Sequence, residues 1–240
     1  MLNALFTGYI IAILSSWLKS SFDNYQLKNR SLLARSKCDH CGEKLKWFNL
    51  FPILSYLFQR GTSTCCKKKI SRNYLYIESS TFLIGCIFVF FEFSLSSIML
   101  IPFLVILVFL DEKYQEIPIW LNALILLIVS ISKENLDPIM LLNAGMIFLG
   151  LIIIYWSYKV FRKREGLGFG DIILIFSLSL YLEIPTIFLL VGMSAALLIV
   201  KIIFSKDYYK PHAFGSWLSG CLIGFILFQE FYEFANSVPN

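Results

Sequence analysis

Long apolar runs separated by short polar segments dominate the chain. Eight runs approach the roughly 20 residues that a helix needs to cross a hydrocarbon core; they cover 2–18, 74–92, 95–111, 117–132, 138–161, 171–183, 185–204 and 213–232. The sixth run is short, and Pro185 leaves open whether the sixth and seventh runs form two helices or one kinked helix. The pattern predicts an all-α, polytopic membrane protein with about eight transmembrane helices.

The first run is predicted to be a retained helix rather than a signal peptide. No basic residue precedes it, and no small-x-small cleavage site follows it. The pattern therefore predicts three parts: a first transmembrane helix at 1–18, a basic domain with cysteines at 19–73, and a transmembrane domain at 74–240.

Positive charge is concentrated in the segment after the first run. Of 21 Lys and Arg residues, 12 lie between Lys19 and Arg72. Because cytoplasmic loops carry the excess of Lys and Arg, this segment is predicted to be cytoplasmic. With eight crossings, Lys133 alone then falls on the outer side. The formal charge of +5 is thus a topology signal that requires no nucleic acid, although the basic loop could contact anionic lipid headgroups.

Two aspartates are predicted to lie at the same depth in the membrane. Asp111 ends the run "IPFLVILVFLD", which travels inward, and Asp171 begins the run "DIILIFSLSLYL", which travels outward. Two nearby carboxylates share protons and can act as acid and base towards a peptide bond and a water. Their cytoplasmic depth is expected to give water access to both. Two structural alternatives stay open: Asp111 as the polar end of a helix, and Asp171 as a helix N-cap.

The motifs around these aspartates resemble those of the type IV prepilin peptidases. "LDEKYQEIP" resembles the first catalytic motif of that family and "GLGFGD" its second, the G-x-G-D motif. The segments "CDHC", "KWFNLFPILSYLFQRG" and "ISRNYLYIE" resemble its cysteine-bearing loop and the following helix, and "KPHAFGSWLSG" its last helix. The motifs occur in the family's order from about Arg35 to Gly220.

The resemblance implies an aspartic endopeptidase of the bacterial cytoplasmic membrane with its active site facing the cytoplasm. Its catalytic pair would be Asp111 and Asp171, and its substrates the prepilins or pseudopilins, cut after a glycine. Many members also methylate the new N-terminus with S-adenosylmethionine. The resemblance also implies a supporting role for Glu78. The alternative to that role is an interfacial carboxylate paired with a basic residue.

The cysteines depart from the pattern of the family. After Cys38 and Cys41, the family places a second C-x-x-C pair whose first cysteine would fall at Ser63, whereas this chain has the adjacent Cys65 and Cys66. The resemblance implies zinc bound by Cys38, Cys41 and Cys66, with Cys65 as a further candidate. A reduced, metal-free thiol cluster stays open as the alternative.

Three glycines precede Asp171 and are predicted to let a peptide approach. Gly166, Gly168 and Gly170 permit close backbone contact, so an extended leader could lie along them. A helix dipole at Asp171 would favour its ionised form, which makes Asp171 the predicted base and Asp111 the predicted acid.

Two other function classes stay open. One is a neighbouring G-x-G-D protease, of the preflagellin peptidase or presenilin type; the cysteine loop and the position of Pro118 speak against it. The other is an ion-coupled transporter with membrane carboxylates. Transporters place such sites near the midplane and contain repeated halves, and neither feature is evident here.

Overall fold

The fold of the protein is all-helical over the part that the structure describes. A computed structural model describes residues 2–24, 31, 35–38, 40–91, 93–132, 137–162, 167–206 and 212–237. These residues form one 3-10 helix, Trp47–Leu50, two isolated antiparallel bridges, and the following α-helices: α1 Leu2–Phe22, α2 Leu54–Phe58, α3 Arg72–Phe90, α4 Leu95–Tyr114, α5 Ile119–Ser132, α6 Pro138–Arg162, α7 Phe169–Ser179, α8 Ile184–Ser205 and α9 Phe214–Ser237.

Two compact units divide the chain after Ser94. In the first unit, α1 packs along α3. The helices approach closely at two glycines, since a Cβ added to Gly8 would lie 2.6 Å from the Cys86 Sγ and one added to Gly85 would lie 2.8 Å from the Ile11 Cδ1. Small residues at a helix interface are typical of membrane helices, where close backbone contact drives association. The cysteine-bearing segment lies between these helices in sequence. The division predicted from the sequence, after residues 18 and 73, is based on the apolar runs and not on packing. It stays a prediction.

The second unit is organised around α4. Eleven of the 20 residues of α4 are buried, on all sides of the helix, and α5 and α9 pack against it. A helix that is apolar all round and enclosed by others forms the core of its unit. The short helix α7 packs against α5, α6, α8 and α9. These contacts bring the end of α4 and the start of α7 into the same interior.

Six of the helices are long and apolar enough to cross a membrane: α1, α3, α4, most of α6, α8, and most of α9. The helices α5 and α7 are apolar but shorter. The sixth and seventh apolar runs form two separate helices, α7 and α8, because the chain turns at Leu180–Leu182 and Pro185 lies in the first turn of α8, where no backbone N–H is needed. The predicted all-helical membrane class is confirmed, and Lys133 lies outside the described residues.

Candidate active site

Asp111 and Asp171 lie at the ends of two helices in the second unit. Asp111 is in the last turn of α4, and Asp171 is the third residue of α7. The helix α7 begins after Gly168, so Asp171 is not the N-cap that one alternative proposed. Both side chains are buried, with relative exposures of 4% for Asp111 and 9% for Asp171. Burying two carboxylates in one apolar unit is costly, which is typical of a functional pair.

Gly215 on α9 shows how close the two carboxylates are. A Cβ added to Gly215 would lie 2.9 Å from the Asp171 Oδ1 and 3.1 Å from the Asp111 Oδ2. The two oxygens are therefore at most 6.0 Å apart, the sum of those distances. At that separation one water molecule can contact both carboxylates, which is the arrangement that an acid-base pair requires. The structure thus brings together two residues that lie 60 positions apart in sequence.

The two carboxylates differ in their hydrogen-bond partners. The Ser216 N–H donates to the Asp111 Oδ2 at 2.6 Å, whereas the Asp171 Oδ1 is buried without a partner among the described residues. A hydrogen bond from a backbone N–H to a carboxylate oxygen favours the ionised form of that carboxylate. The pair therefore has one oxygen held by the protein and one left for a proton, a water or a substrate.

Ile117 and α9 lie directly beside the pair. The Ile117 Cδ1 would lie 2.5 Å from a Cβ at Gly215, and the Ile117 Cβ would lie 2.8 Å from one at Gly170. Ile117 therefore bridges α7 and α9 directly beside the carboxylates. Side chains of the same unit therefore enclose most of both carboxylates, and access of water to the pair stays a prediction.

The glycines before Asp171 make room inside the protein. A Cβ added to Gly168 would lie 2.9 Å from the Asp171 Oδ2, so glycine at this position leaves space for the carboxylate. Gly170 is packed against Ile117, so its missing side chain leaves space for that internal contact. The approach of a peptide along these glycines stays a prediction. Gly166 lies outside the described residues. Gly168 and Gly170 therefore both make close internal contacts beside Asp171.

Three residues that sequence reasoning did not assign support the site. Gly215 and Ser216 lie in the segment "KPHAFGSWLSG", which was noted as a motif without a role. Asn122 on α5 is fully buried, and its Nδ2 donates to the Gly170 carbonyl at 2.9 Å. A polar residue within the apolar run "IWLNALILLIV" is the signal that could have revealed it.

Glu78 lies in the first unit and holds two other elements. Its Oε1 accepts a hydrogen bond from the Ser16 hydroxyl on α1 at 2.6 Å, and its Oε2 accepts one from the Ile53 backbone N–H at 2.7 Å. The carboxylate is 6% exposed. Both donors are neutral, so the alternative of an ion pair with a basic residue does not describe these contacts.

The four candidate cysteine ligands meet in one cluster in the first unit. The Sγ atoms of Cys38, Cys41, Cys65 and Cys66 all lie within 4.8 Å of one another, with 3.7 Å from Cys38 to Cys66 and 3.2 Å from Cys41 to Cys65. A tetrahedral zinc with Zn–S bonds of about 2.3 Å separates its sulfurs by about 3.8 Å. The cluster therefore fits a four-thiolate zinc site after small adjustments.

Ser63 occupies the position where the second cysteine pair was expected to begin. Its hydroxyl lies 3.4 Å from the Cys38 Sγ and 2.9 Å from the Cys65 Sγ. Burial opposes ionisation of Cys38, but hydrogen bonds from Ser63 and from the backbone of Cys41 and His40 outweigh it and lower the pKa of this thiol to about 6. A stabilised thiolate is the form that binds a metal.

Comparison with known proteins places both units in one family. The model of the bacterial peptidase A24 N-terminal domain matches residues 9–93, and the model of the type IV leader peptidase family matches residues 98–205. The chain belongs to the type IV leader peptidase family. The N-terminal match contains the cysteine cluster and Glu78. The leader peptidase match contains both aspartates and ends before Gly215 and Ser216.

Similar members of the leader peptidase family carry the name prepilin leader peptidase/N-methyltransferase. The protein of Pectobacterium carotovorum subsp. carotovorum is 29% identical over 211 residues, covering 80% of this chain and 74% of the relative. That of Dichelobacter nodosus is 31% identical over 152 residues, covering 58% and 52%. That of Dickeya chrysanthemi is 29% identical over 199 residues, covering 77% and 70%. No solved structure matches the chain.

Proposed function

We propose that the protein is a membrane aspartic endopeptidase that removes the leader peptide of type IV prepilins or pseudopilins. The observation that carries this proposal is the buried pair of carboxylates, Asp111 and Asp171, whose facing oxygens are at most 6.0 Å apart. Membership of the type IV leader peptidase family supports the choice of substrate. The names of the similar proteins support it as well.

The proposed chemistry is attack by water without a covalent intermediate. Asp111 is the base, because the Ser216 N–H holds its carboxylate in the ionised form, and Asp171 carries the proton on the oxygen without a partner. The helix-dipole argument from sequence assigned the two roles the other way round. In this scheme Asp111 removes a proton from the water, and Asp171 donates its proton to the peptide carbonyl.

The proposed topology has eight crossings in the bacterial cytoplasmic membrane. The shorter helices α5 and α7 count as crossings in this scheme, and the Lys and Arg residues of the loops, except Lys133, then fall on the cytoplasmic side with Asp111 and Asp171. The substrate leader would therefore be cut on the cytoplasmic side, while the apolar pilin helix is still in the membrane.

A second proposed activity is methylation of the new pilin N-terminus with S-adenosylmethionine, as the names of the similar proteins suggest. The thiolates of Cys38, Cys41, Cys65 and Cys66 would hold one structural zinc. That metal would fix the cysteine-bearing segment, which is too small to bury a core of its own. No step of peptide hydrolysis passes through the metal.

The test of the peptidase is cleavage of a purified prepilin by the full-length protein in lipid nanodiscs, followed by mass spectrometry of the product. We expect the wild type to release the leader at a single bond after glycine, and Asp171→Asn to release none. Asp137→Asn, an exposed aspartate at the start of α6, is the matched control and should cleave at the wild-type rate. Intact prepilin in the presence of wild-type enzyme would contradict the proposal.

A substrate panel separates the neighbouring function classes. Preflagellins and transmembrane peptides would be cut by a preflagellin peptidase or presenilin-type protease, and the proposal expects neither to compete with prepilin. Cation-dependent flux into vesicles without any proteolysis would favour the transporter class.

A further inference from the structure

Large apolar side chains are exposed over one short stretch of the cysteine-bearing segment. Seven of the twelve residues from 47 to 58 have this character: Trp47, Phe48, Leu50, Phe51, Leu54, Leu57 and Phe58. After this stretch, no large apolar side chain is exposed among residues 59–75, all of which the structure describes. A surface that faces water rarely carries so dense an apolar patch. The stretch 47–58, here called the apolar segment, therefore calls for a partner other than water.

Two hydrogen bonds tie the apolar segment to helices of the first unit that are long and apolar enough to cross a membrane. The Tyr9 hydroxyl on α1 donates to the Pro52 carbonyl at 3.3 Å, and the Glu78 Oε2 on α3 accepts the Ile53 N–H at 2.7 Å. Tyr9 precedes Leu18, the end of the first apolar run, by nine residues, or about 14 Å along the helix. Glu78 lies about 6 Å inside the apolar run of α3 by the same count. One leaflet of hydrocarbon is about 15 Å thick, so the turn at Pro52 lies at hydrocarbon depth.

The backbone of this turn is paired as a chain inside hydrocarbon requires. Pro52 has no N–H, and the N–H groups of Ile53 and Leu54 donate to Glu78 and to the Pro52 carbonyl. Non-helical backbone at membrane depth is tolerated only where its polar groups find partners within the protein. Ile53 also has φ 61°, which a β-branched residue avoids, so the turn needs support from its surroundings. The pairing gives Tyr9 and Glu78, two polar residues within apolar helices, the task of holding the turn.

Basic side chains flank the apolar segment on both sides. Lys44 and Lys46 precede it, Arg60 and the run 67–69 follow it, and all of these side chains are exposed. No acidic residue occurs from position 44 to position 77. This charge complements the anionic headgroups of a bilayer, which long basic side chains can reach while their stems stay in apolar surroundings. The order basic, apolar, basic is that of a chain that enters a leaflet and returns to the same side.

We propose that the apolar segment is re-entrant: it dips into the cytoplasmic leaflet and packs its exposed side chains against lipid acyl chains. The proposal rests on the proposed topology, in which the chain leaves α1 on the cytoplasmic side, and it leaves only the flanks of the apolar segment in water. Lipid is the occupant that the contacts favour, because they place the turn beside the bilayer-crossing parts of α1 and α3. The apolar segment thereby anchors the neighbouring cysteine cluster at the membrane surface.

The test is fluorescence quenching of a tryptophan placed beside the turn, in the full-length protein in phosphatidylglycerol nanodiscs. The emission that Phe51→Trp adds to that of the five native tryptophans should fall about twofold or more when the acyl chains are brominated, and by about one-fifth or less with aqueous iodide. Glu43→Trp is the matched control, because it is an exposed acidic position that anionic headgroups repel. Its added emission should respond to iodide and not to the brominated lipid.

A charge at the same position gives an independent measurement. Phe51→Asp should lower the melting temperature in nanodiscs by about 5 °C or more relative to Phe51→Asn, because a carboxylate at hydrocarbon depth is costly and the amide of the same shape is less so. Equal melting temperatures for these two variants would overturn the proposal.

The quenching result can overturn the proposal in two further ways. Quenching of Phe51→Trp by iodide would place the apolar segment in water, and quenching by neither agent would place it against protein, such as a second copy of the chain or a bound pilin. A protein that gives either result and still cleaves prepilin would leave the peptidase proposal standing.

Discussion

A single added methyl group at Gly215 is expected to inactivate the peptidase without removing any ionisable group. In Gly215→Ala the new Cβ would lie 2.5 Å from the Ile117 Cδ1, 2.9 Å from the Asp171 Oδ1 and 3.1 Å from the Asp111 Oδ2. Ordinary contacts begin at 3.4 Å, so these atoms must move apart by about 0.3–0.9 Å. A misplacement of about 1 Å can cost about 10²-fold in rate. We therefore expect kcat/KM for prepilin cleavage to fall by about 10²-fold, or about 2.7 kcal/mol in activation free energy.

The assay for Gly215→Ala compares initial rates of leader release in nanodiscs at equal protein concentration. Gly220→Ala and Gly224→Ala on the same helix are matched controls, because a Cβ at either position meets no atom of the structure within 4 Å. Both controls should retain the wild-type rate. A wild-type rate in folded Gly215→Ala would refute the position of α9 over the two carboxylates, and with it the role given to the Ser216 N–H.

The other predictions concern the metal, the packing of α1 and the support of α7. Cys65→Ser should lose most of its zinc by elemental analysis, and Ser63→Cys/Cys65→Ser should regain about one zinc per chain; full zinc in Cys65→Ser would exclude that thiol as a ligand. Gly8→Ala should lower the melting temperature, because its Cβ would overlap α3 at a cost of about 1–3 kcal/mol. Gly145→Ala should leave the melting temperature unchanged, because a Cβ at Gly145 would have no atom within 4 Å. Equal melting temperatures for the two variants would contradict the packing of α1 on α3. Asn122→Leu should lower kcat about fivefold with KM unchanged, because the buried Gly170 carbonyl loses its donor; an unchanged kcat would remove the positioning role.

The carboxylate pair could be predicted from the sequence because depth in a membrane is readable from hydropathy and charge. Asp111 ends an inward run and Asp171 begins an outward run, so both lie near one face whatever the detailed packing. The same information could not identify Ser216 as a partner of Asp111. That contact joins residues 105 positions apart through a backbone N–H, which every residue other than proline possesses.

The sequence also could not predict the local geometry of the cysteine-bearing segment. The resemblance implied Cys38, Cys41 and Cys66 as ligands with Cys65 as a further candidate, and it identified Ser63 as the departure, but the adjacent Cys65 and Cys66 left the geometry open. The structure resolves this, since the Sγ atoms of both residues reach the cluster. The positive φ of Ile53 could not be expected either, because β-branched residues avoid that region; in the structure its N–H donates to the Glu78 carboxylate.

The central claim is that Asp111 and Asp171 act as one catalytic unit, and a double-mutant cycle on prepilin cleavage tests it most directly. Initial rates would be measured for Asp111→Asn, Asp171→Asn and the double variant, with folding checked by zinc content and melting temperature. If the two carboxylates share one task, each single variant loses about 10³-fold or more, and the double variant is no slower than the singles. A single variant with the wild-type rate, or losses that multiply in the double variant, would contradict the paired site.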